Sequence, residues 1–411
     1  MARNQGEAIL SNRSENCHKH RAVKYTYFFL NLLGIGPLTT ESLKITKIVS
    51  FIWSATIVTI GVWEISFRFI YVYFDVTDVD DQMDLLAPVV FVTVTTLKYL
   101  SIAYRHDTIK KFTKHIFDDW NMIGSQEEED IMEKNLNMSN NITFVFAVMM
   151  YISCVLYNCF MPHVIPILFN SDDRNASERI VIFPGYNSVF DVDSFPIYQI
   201  TYVFHQLTAL STYTILITSC NLIIVLVTHA CSQLQIITNQ IDSLLNNFSK
   251  EEKFSYAKLS FTISRHVRVL EFSNKLLKKM IFELCLIEVG ASSILLCIDE
   301  FCVLRMLEKK EFANMTSYIM IFFSLSLNVL IVCYFSELLE AQFMNVGEKL
   351  NSVEWYKTPV NTRQYFNLII IMSQQPQKIS AGGIVDLSFV TYLQILKTGF
   401  AYLQLLRAAN L

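Results

Sequence analysis

The sequence MSQQPQKISAGGIVDLSFVTYLQILKTGFAYLQLLR, residues 372–407, decides the fold class of this chain. A polar segment leads into Ala381-Gly382-Gly383, and an apolar span of helical length then runs almost to the last residue. Polar side chains recur in the span mostly every three or four residues, which places them on one side of a helix. A membrane helix with such a stripe faces a pore or another helix, because polar groups are rarely tolerated toward lipid. The stripe consists of Ser388, Thr391, Gln394, Thr398 and Gln404.

The composition of the whole chain is that of a membrane protein. Hydrophobic residues make up 52% of the 411 residues and charged residues 17%, against about 25% charged residues in an average soluble protein. Apolar runs near the roughly 20 residues that a bilayer requires occur at seven places. We therefore predict an all-α, polytopic fold with seven transmembrane helices. The predicted spans are residues 48–74, 85–103, 144–169, 197–227, 281–304, 318–339 and 387–406.

The distribution of basic residues predicts the orientation. Alternate connections, together with the N-terminal segment, hold 24 Lys and Arg residues, whereas the remaining connections hold four. Because basic loops stay in the cytosol, we expect a cytosolic N-terminus and an extracellular C-terminus. The same orientation exposes Asn175, in an Asn-Ala-Ser sequon, to the glycosylation machinery. A second outer sequon at Asn314 lies closer to the bilayer, so Asn175 is the preferred acceptor.

This topology divides the chain into four parts. Residues 1–47 form a cytosolic segment, and residues 48–339 form six spans with a long cytosolic helical extension at 228–280. Residues 340–383 form a cytosolic anchor segment, and residues 384–411 contain the seventh helix. The extensions either bundle below the membrane as an assembly domain or lie as amphipathic helices on anionic lipid.

No catalytic or cofactor motif is found. The chain has no P-loop, no His-Glu-x-x-His and no Gly-x-Ser-x-Gly. Cys17-His18-Lys19-His20 offers metal-binding side chains, but a basic tail supplies no partners to orient them. We therefore predict no enzyme activity, no cofactor, no metal site and no nucleic-acid partner.

Ionisable residues inside the spans need partners or water. Lys98 is expected to reach the cytosolic interface along its own stem, and Glu64 and Arg68, one turn apart, are expected to pair. Glu288 lies deeper and requires a partner or a cavity. Lys397, in the middle of the last span, either anchors to a neighbouring helix or serves as a pore or gating residue.

Seven spans invite comparison with G-protein-coupled receptors, but the predicted orientation is inverted and the receptor motifs of the third and seventh helices are missing. The C-terminal stretch instead resembles the signature of insect odorant receptors, although Gly399-Phe400-Ala401-Tyr402 stands where that family usually has Ser-Tyr-Ser-Tyr. Trp120, after Asp118-Asp119, also resembles a family pattern. The matching positions are Gln374, Pro376, Lys378-Ile379, Ala381-Gly382-Gly383, Leu387-Ser388, Ile395-Leu396-Lys397-Thr398, Phe400, Tyr402 and Leu405-Leu406.

The resemblance implies an odorant-gated, non-selective cation channel in the plasma membrane of olfactory neuron dendrites. The chain would be the tuning subunit of a tetramer with the family's co-receptor, surrounded by membrane lipids, and the last helix would line the pore for permeant cations. A gustatory-type chemoreceptor channel and, less favoured, a membrane transporter are the alternatives. The resemblance implies pore or gate positions at Gln404, Leu405, Ala401, Tyr402 and Thr398, with the constriction at the first two. It also implies an odorant pocket in the outer half of the bundle, with candidate residues Phe91, Met150, Ser153, Tyr157, Tyr202, Gln206, Tyr318 and Phe322.

Overall fold

The computed structural model describes residues 21–39, 43–74, 76–77, 79–160, 194–249, 255–309, 312–375 and 377–409, and most of them are helical. Two π-helical segments occur, Leu156–Phe160 after α6 and Phe272–Leu277 between α8 and α9, and a 3-10 turn spans Trp355–Lys357. The α-helices are α1 (Lys24–Leu32), α2 (Gly36–Thr39), α3 (Lys44–Phe74), α4 (Val79–Tyr104), α5 (His106–Trp120), α6 (Gln126–Val155), α7 (Ile197–Ser249), α8 (Tyr256–Glu271), α9 (Lys278–Glu308), α10 (Phe312–Asn351), α11 (Val360–Ser373) and α12 (Phe389–Ala409).

Six helical stretches of the described chain are long and apolar enough to cross a membrane. They coincide with the first six predicted spans, except that residues 161–169 of the third span lie outside the described residues. The predicted seventh span corresponds to α12, a helix of 21 residues with several polar side chains, which is not among these six. The prediction of an all-α, multi-pass membrane protein is therefore confirmed.

The helix α7 forms the centre of the bundle. In its most apolar window 89% of the residues are buried, against 17% in the corresponding window of α3. It packs against α4, α6, α8 and α10. Residues 212–234 are buried on every side, so apolar residues are found all around this part of α7, as expected for a helical segment without a solvent or lipid face. By contrast, α3 lies at the periphery and leaves large apolar side chains such as Trp53 and Phe69 exposed.

Helical extensions continue beyond the length that a bilayer needs. The 53 residues of α7 correspond to about 80 Å of helix, far more than the roughly 30 Å of a hydrocarbon core. Its C-terminal part buries Leu234, Ile237 and Ile241 completely, and α8 packs beside it. The extension is thus bundled with its neighbours instead of presenting its apolar face outward.

A buried ion pair joins α4 to α9. Lys98, 1% exposed, contacts the Glu288 carboxylate with its Nζ, and Glu288 also accepts hydrogen bonds from Asn328 at 2.8 Å and Ser292 at 2.9 Å. The expectation that Lys98 reaches the interface is wrong, because a carboxylate on the neighbouring helix supplies a nearer partner. The expected need of Glu288 for a partner is confirmed.

A two-stranded antiparallel hairpin precedes α12. β1 (Ser380–Ala381) pairs with β2 (Val385–Asp386), and the turn places Gly382 at φ +60° and Gly383 at φ +70°. Residues with a Cβ rarely adopt such angles, and a Cβ at Gly382 would also lie 2.9 Å from a methyl group of Leu286. The Gly-Gly sequence therefore lets the chain turn against α9 before α12 begins.

Several sequence predictions fall outside the described residues. These are the sequon at Asn175, the basic tail with Cys17-His18-Lys19-His20, and Pro376 of the C-terminal signature.

Candidate functional site: a cavity inside the helical bundle

A cavity lies inside the bundle, between α3, α4, α7, α9, α10 and the π-helical segment after α6. It has about 620 Å³ of empty space including its mouth. Aromatic and aliphatic side chains form most of its wall, and Phe91 and Tyr213 pack with ring centroids 5.7 Å apart. The lining residues are Arg68, Ala87, Pro88, Phe91, Val92, Tyr157, Asn158, His205, Thr208, Ala209, Thr212, Tyr213, Leu295, Asp299, Tyr318, Ile321 and Leu325.

Polar groups at two places interrupt this apolar wall. On one side, the Arg68 guanidinium forms an ion pair with Glu64 at 2.9 Å and a contact of 3.3 Å with Nδ1 of His205. The predicted pairing of Glu64 with Arg68 is confirmed. On the other side, Asp299 is 1% exposed, and its Oδ2 has no hydrogen-bond partner among the described residues. An apolar chamber with a few hydrogen-bonding groups is typical of a site for a small molecule.

A second empty space differs from this cavity in being a surface groove. It amounts to about 990 Å³ and is lined by seven residues of α3 and α7. Two of its largest side chains, Trp63 and Phe204, are 46% and 44% exposed. The groove thus lies on the surface of the bundle, whereas most residues that line the first cavity are buried, so the cavity is the better candidate for a specific ligand.

The helix α12 has a buried face and a polar exposed face. Its first turn is capped, since Ser388 Oγ accepts a hydrogen bond of 3.1 Å from the Thr391 amide. Thr391, Ile395 and Gly399 are buried toward α9 and α10. The polar face is exposed and is formed by Gln394, Lys397, Thr398 and Gln404 together with Ala401. The apolar side chains of Val390, Leu393 and Phe400 are exposed beside them.

The helices α9 and α10 separate the cavity from α12. In each of these two helices, one residue lines the cavity and the next residue contacts α12. On α10, Leu325 lines the cavity, and Ser326 hydrogen-bonds to the Tyr392 hydroxyl at 2.8 Å. On α9, Asp299 lines the cavity, and the next residue, Glu300, approaches Gly399 so closely that a Cβ there would lie 3.0 Å from its Oε2. A shift of either helix on the cavity side therefore displaces a contact of α12.

Comparison with known proteins identifies the family. A family model described as 7tm odorant receptor matches residues 78–400. The chain belongs to the odorant receptor family. The prediction of no enzyme activity is confirmed, because the odorant receptor family is not an enzyme family.

Two curated relatives of this odorant receptor come from Drosophila melanogaster. Odorant receptor 13a is 23% identical over 286 residues, which cover 65% of this chain and 66% of the relative. Odorant receptor 67c is 23% identical over 186 residues, which cover 45% of each chain. The matched part therefore spans less than two thirds of the length of either relative.

Solved structures share the fold of this receptor almost from end to end. The insect olfactory receptor OR5 from Machilis hrabei in complex with eugenol superposes with a TM-score of 0.78 at 12% identity, covering 96% of this chain and 99% of that one. The same receptor solved without eugenol gives a TM-score of 0.75, with 93% and 97% covered.

Three of the eight candidate odorant residues line the cavity of this receptor, namely Phe91, Tyr157 and Tyr318. The other five do not. Met150 is in the hydrophobic core, Ser153 bonds Ser324 at 3.0 Å, and Phe322 packs against the core beside the cavity residue Ile321. Tyr202 stacks on Tyr198, and Gln206 bonds the Asn158 carbonyl at 3.3 Å.

The sequence reasoning missed the polar residues of the cavity in this receptor. Asp299 lies inside a predicted span. An ionisable residue there needs a partner or water, and this criterion, which was applied to Glu288, also applies to Asp299. Arg68 was noticed for its pairing alone, and His205 carried no signal because an isolated histidine in an apolar helix is usually a packing residue.

The candidate pore residues lie in the second half of α12. Thr398, Ala401 and Gln404 are exposed on its polar face, and Tyr402 and Leu405 belong to the helix but have side chains outside the described part. Lys397 is exposed on the same face.

Proposed function

We propose that this receptor is the tuning subunit of an odorant-gated, non-selective cation channel. The observation that carries the proposal is the cavity with its largely apolar wall and its two polar places, inside a multi-pass helical bundle. Small volatile molecules bury most of their surface in such a chamber, and a few polar groups fix their orientation. The fold relative solved with eugenol supports a ligand of this size class.

The polar groups define the ligand more narrowly. Asp299 on one wall and the Arg68–His205 pair on another offer hydrogen bonds to a molecule that is otherwise surrounded by Phe91, Tyr213 and aliphatic side chains. Leaving a buried polar group without a partner costs about 1–3 kcal/mol. Odorants that combine an apolar body with one hydroxyl or carbonyl group are therefore preferred over pure hydrocarbons.

The coupling between cavity and pore is a shift of population. To move a pore from 1:99 to 99:1 open, a ligand needs about 5.5 kcal/mol of preference for the open form, whereas a micromolar ligand binds with about 8 kcal/mol in total. Such a preference requires contacts that differ between the two forms. Ser326–Tyr392 and Glu300–Gly399 are the contacts through which α10 and α9 transmit it to α12.

In the assembled channel, the polar face of α12 lines the central pore. Gln404 and Leu405 form the constriction near the outer mouth, where an amide dipole faces the passing cation and the apolar ring excludes water when closed. Thr398, Ala401 and Tyr402 continue the wall, and Lys397 is part of the polar face. The exposed face of α12 is thus covered by other subunits in a tetramer with the co-receptor.

The orientation completes the proposal. The N-terminus and the bundled extensions face the cytosol, and the C-terminus faces outward, as the distribution of Lys and Arg indicates. The extensions hold the tetramer together, Asn175 is glycosylated, and the receptor resides in the plasma membrane of olfactory neuron dendrites.

The test is electrical recording from cells that co-express this chain with the co-receptor, during application of an odorant panel. The informative pair of variants is Ala209→Met and Leu210→Met on α7. Ala209 lines the cavity and is 8% exposed, whereas Leu210 points outward and is 45% exposed. We expect the added side chain at position 209 to fill the cavity and raise the half-activating odorant concentration at least about tenfold, which corresponds to about 1.4 kcal/mol.

The Leu210→Met channel should respond as the wild type does. Equal dose–response curves for both variants would remove the cavity from the mechanism. Silence of the wild-type channel across the panel, despite surface expression, would count against the channel itself.

A further inference from the structure

We propose that His115, Asp119 and His229 form a binding site for a divalent transition metal of the zinc class. The site lies apart from the cavity and from α12, and the inference does not depend on the proposed function. His115 and Asp119 are one turn apart on α5, and His229 belongs to α7. Their candidate ligand atoms all lie within 4.8 Å of one another.

The distances suit a shared metal ion. Oδ2 of Asp119 lies 2.8 Å from Nε2 of His229 and 3.1 Å from Nδ1 of His115. Zinc bonds imidazole nitrogen at about 2.0–2.1 Å and carboxylate oxygen at about 2.0–2.2 Å, so tetrahedral ligands stand about 3.3 Å apart. The third pair of ligand atoms, Nδ1 of His115 and Nε2 of His229, lies within 4.8 Å, so small rearrangements of the three side chains would place all three atoms around one ion.

One of the three ligand atoms makes no aligned hydrogen bond. Nδ1 of His115 is buried and lies 3.1 Å from the Asp119 carboxylate, but it forms an ion-pair contact without a hydrogen bond to the described residues. Buried polar atoms usually have a hydrogen bond or a bound ion as partner. A metal ion held jointly by the nitrogen and the carboxylate satisfies both groups.

Neighbouring residues orient the ligands. Arg268 on α8 donates from Nε to Oδ1 of Asp119 at 2.5 Å, which leaves Oδ2 as the ligand atom. The Phe272 ring packs against both imidazoles, with centroids 4.8 Å from His115 and 5.4 Å from His229. Partners that fix a ligand in this way are a regular part of metal sites and strengthen binding.

The chemistry of the donor set selects the ion. Two imidazoles and one carboxylate suit zinc, copper, nickel or cobalt, whereas magnesium and calcium require mostly oxygen ligands. Asp119 is 3% exposed and His229 is 7% exposed, so the ion would be shielded from solvent. Bound there, it ties α5 to α7 and, through Arg268, to α8.

The experiment uses the full chain, purified in detergent without a polyhistidine tag, stripped of metal and then titrated with Co²⁺. Two substitutions at His115 separate metal binding from structure. His115→Gln removes the ligand. His115→Cys supplies a thiolate, whose longer metal–sulfur bond of about 2.3 Å compensates for a donor atom closer to the backbone. The control is His106→Gln, at a half-buried histidine near the start of the same helix.

We expect one Co²⁺ per chain with visible absorption typical of tetrahedral cobalt, in the wild type and in His106→Gln, displaced by Zn²⁺. His115→Gln should bind at least about a hundredfold more weakly. His115→Cys should keep the ion and add a sulfur-to-cobalt charge-transfer band. Equal binding by the wild type and His115→Gln, or no binding by a monodisperse wild type, would overturn the site. Should His115→Gln fail to give monodisperse protein, the charge-transfer band of His115→Cys decides, and its absence from folded protein refutes the proposal.

Discussion

The buried ion pair of Lys98 and Glu288 need not stabilise the fold, yet loss of one of its two partners destabilises it. Both side chains are nearly inaccessible, and Glu288 is further bonded to Asn328 and Ser292. Removing two charges from water costs several kcal/mol each, and mutual attraction returns that cost only if the geometry is good. Removing one partner alone leaves the other charge buried and uncompensated.

We therefore expect Lys98→Met to destabilise the protein by about 3–5 kcal/mol, the cost of breaking a buried pair from one side. The double variant Lys98→Met/Glu288→Met should recover most of this loss, because no isolated charge remains. Thermal unfolding of the detergent-solubilised protein, followed by size-exclusion chromatography, measures both.

Lys114→Met, at an exposed position of α5, is the control and should unfold as the wild type does. A double variant that is as unstable as Lys98→Met would show that the attraction within the pair exceeds the cost of removing its two charges from water. The argument from desolvation would then fail.

At the scale of elements, α12 is the helix whose two faces have different roles. Thr391, Ile395 and Gly399 pack on α9 and α10, while the polar face from Gln394 to Gln404 is exposed in the single chain. A polar, exposed face on a membrane helix requires water or protein beside it. This difference between faces gives a direct test of the pore.

Cysteine substitution should separate the two faces. In the assembled channel, Thr398→Cys and Gln404→Cys should react with a charged, water-soluble thiol reagent and lose most of the current. Ile395→Cys, about one helical turn from Thr398 but buried, should be protected. Recording before and after the reagent, on a background insensitive to it, makes the comparison.

Equal protection at positions 398, 404 and 395 would place the polar face in a subunit contact instead of the pore. A replacement at Gln404 that leaves ion selectivity and basal current unchanged would exclude that residue from the constriction.

The helices could be predicted from sequence more completely than the short elements around them. A run of about 20 apolar residues is a local signal, and the boundaries of α3 and the start of α7 were predicted almost correctly. The hairpin before α12 has two residues per strand, too few to produce an alternating pattern. Gly382-Gly383 was noticed, but a turn against α9 could not be inferred without knowing which helix lies beside it.

At the scale of the whole molecule, the charge asymmetry along the chain gives the proposed orientation. Sequons on both sides of the membrane make the orientation testable, because only those on the outer side meet the glycosylation machinery. In the proposed orientation, Asn175 belongs to an outer connection, and Asn247, at the end of α7, belongs to a cytosolic one.

We expect Asn175→Gln to lower the apparent mass of the protein from insect cells by one glycan, and Asn247→Gln to leave it unchanged. Glycosidase treatment should remove the difference between the wild type and Asn175→Gln. A mass shift on Asn247→Gln would invert the orientation and with it the assignment of the bundled extensions to the cytosol.

Sites assembled from distant parts of the chain were the least predictable features. The cavity draws residues from six segments, and the His115, Asp119 and His229 cluster joins positions 110 residues apart. The prediction that the chain has no metal site depended on looking for closely spaced motifs. Packing across the whole bundle determines which faces of two helices meet. The periodicity of a single helix does not contain this information.

The helices α9 and α10 contact both the cavity and α12, and this limits how the receptor can be redesigned. Asp299 and Glu300, like Leu325 and Ser326, are consecutive residues with different neighbours. In the proposed mechanism, a substitution that moves either backbone alters ligand preference and resting activity together. Ala87, Pro88 and Thr212, on α4 and α7, touch the cavity on helices that are not the main support of α12. An engineer who wants a biosensor with a new odour range and an unchanged baseline should therefore diversify α4 and α7 first.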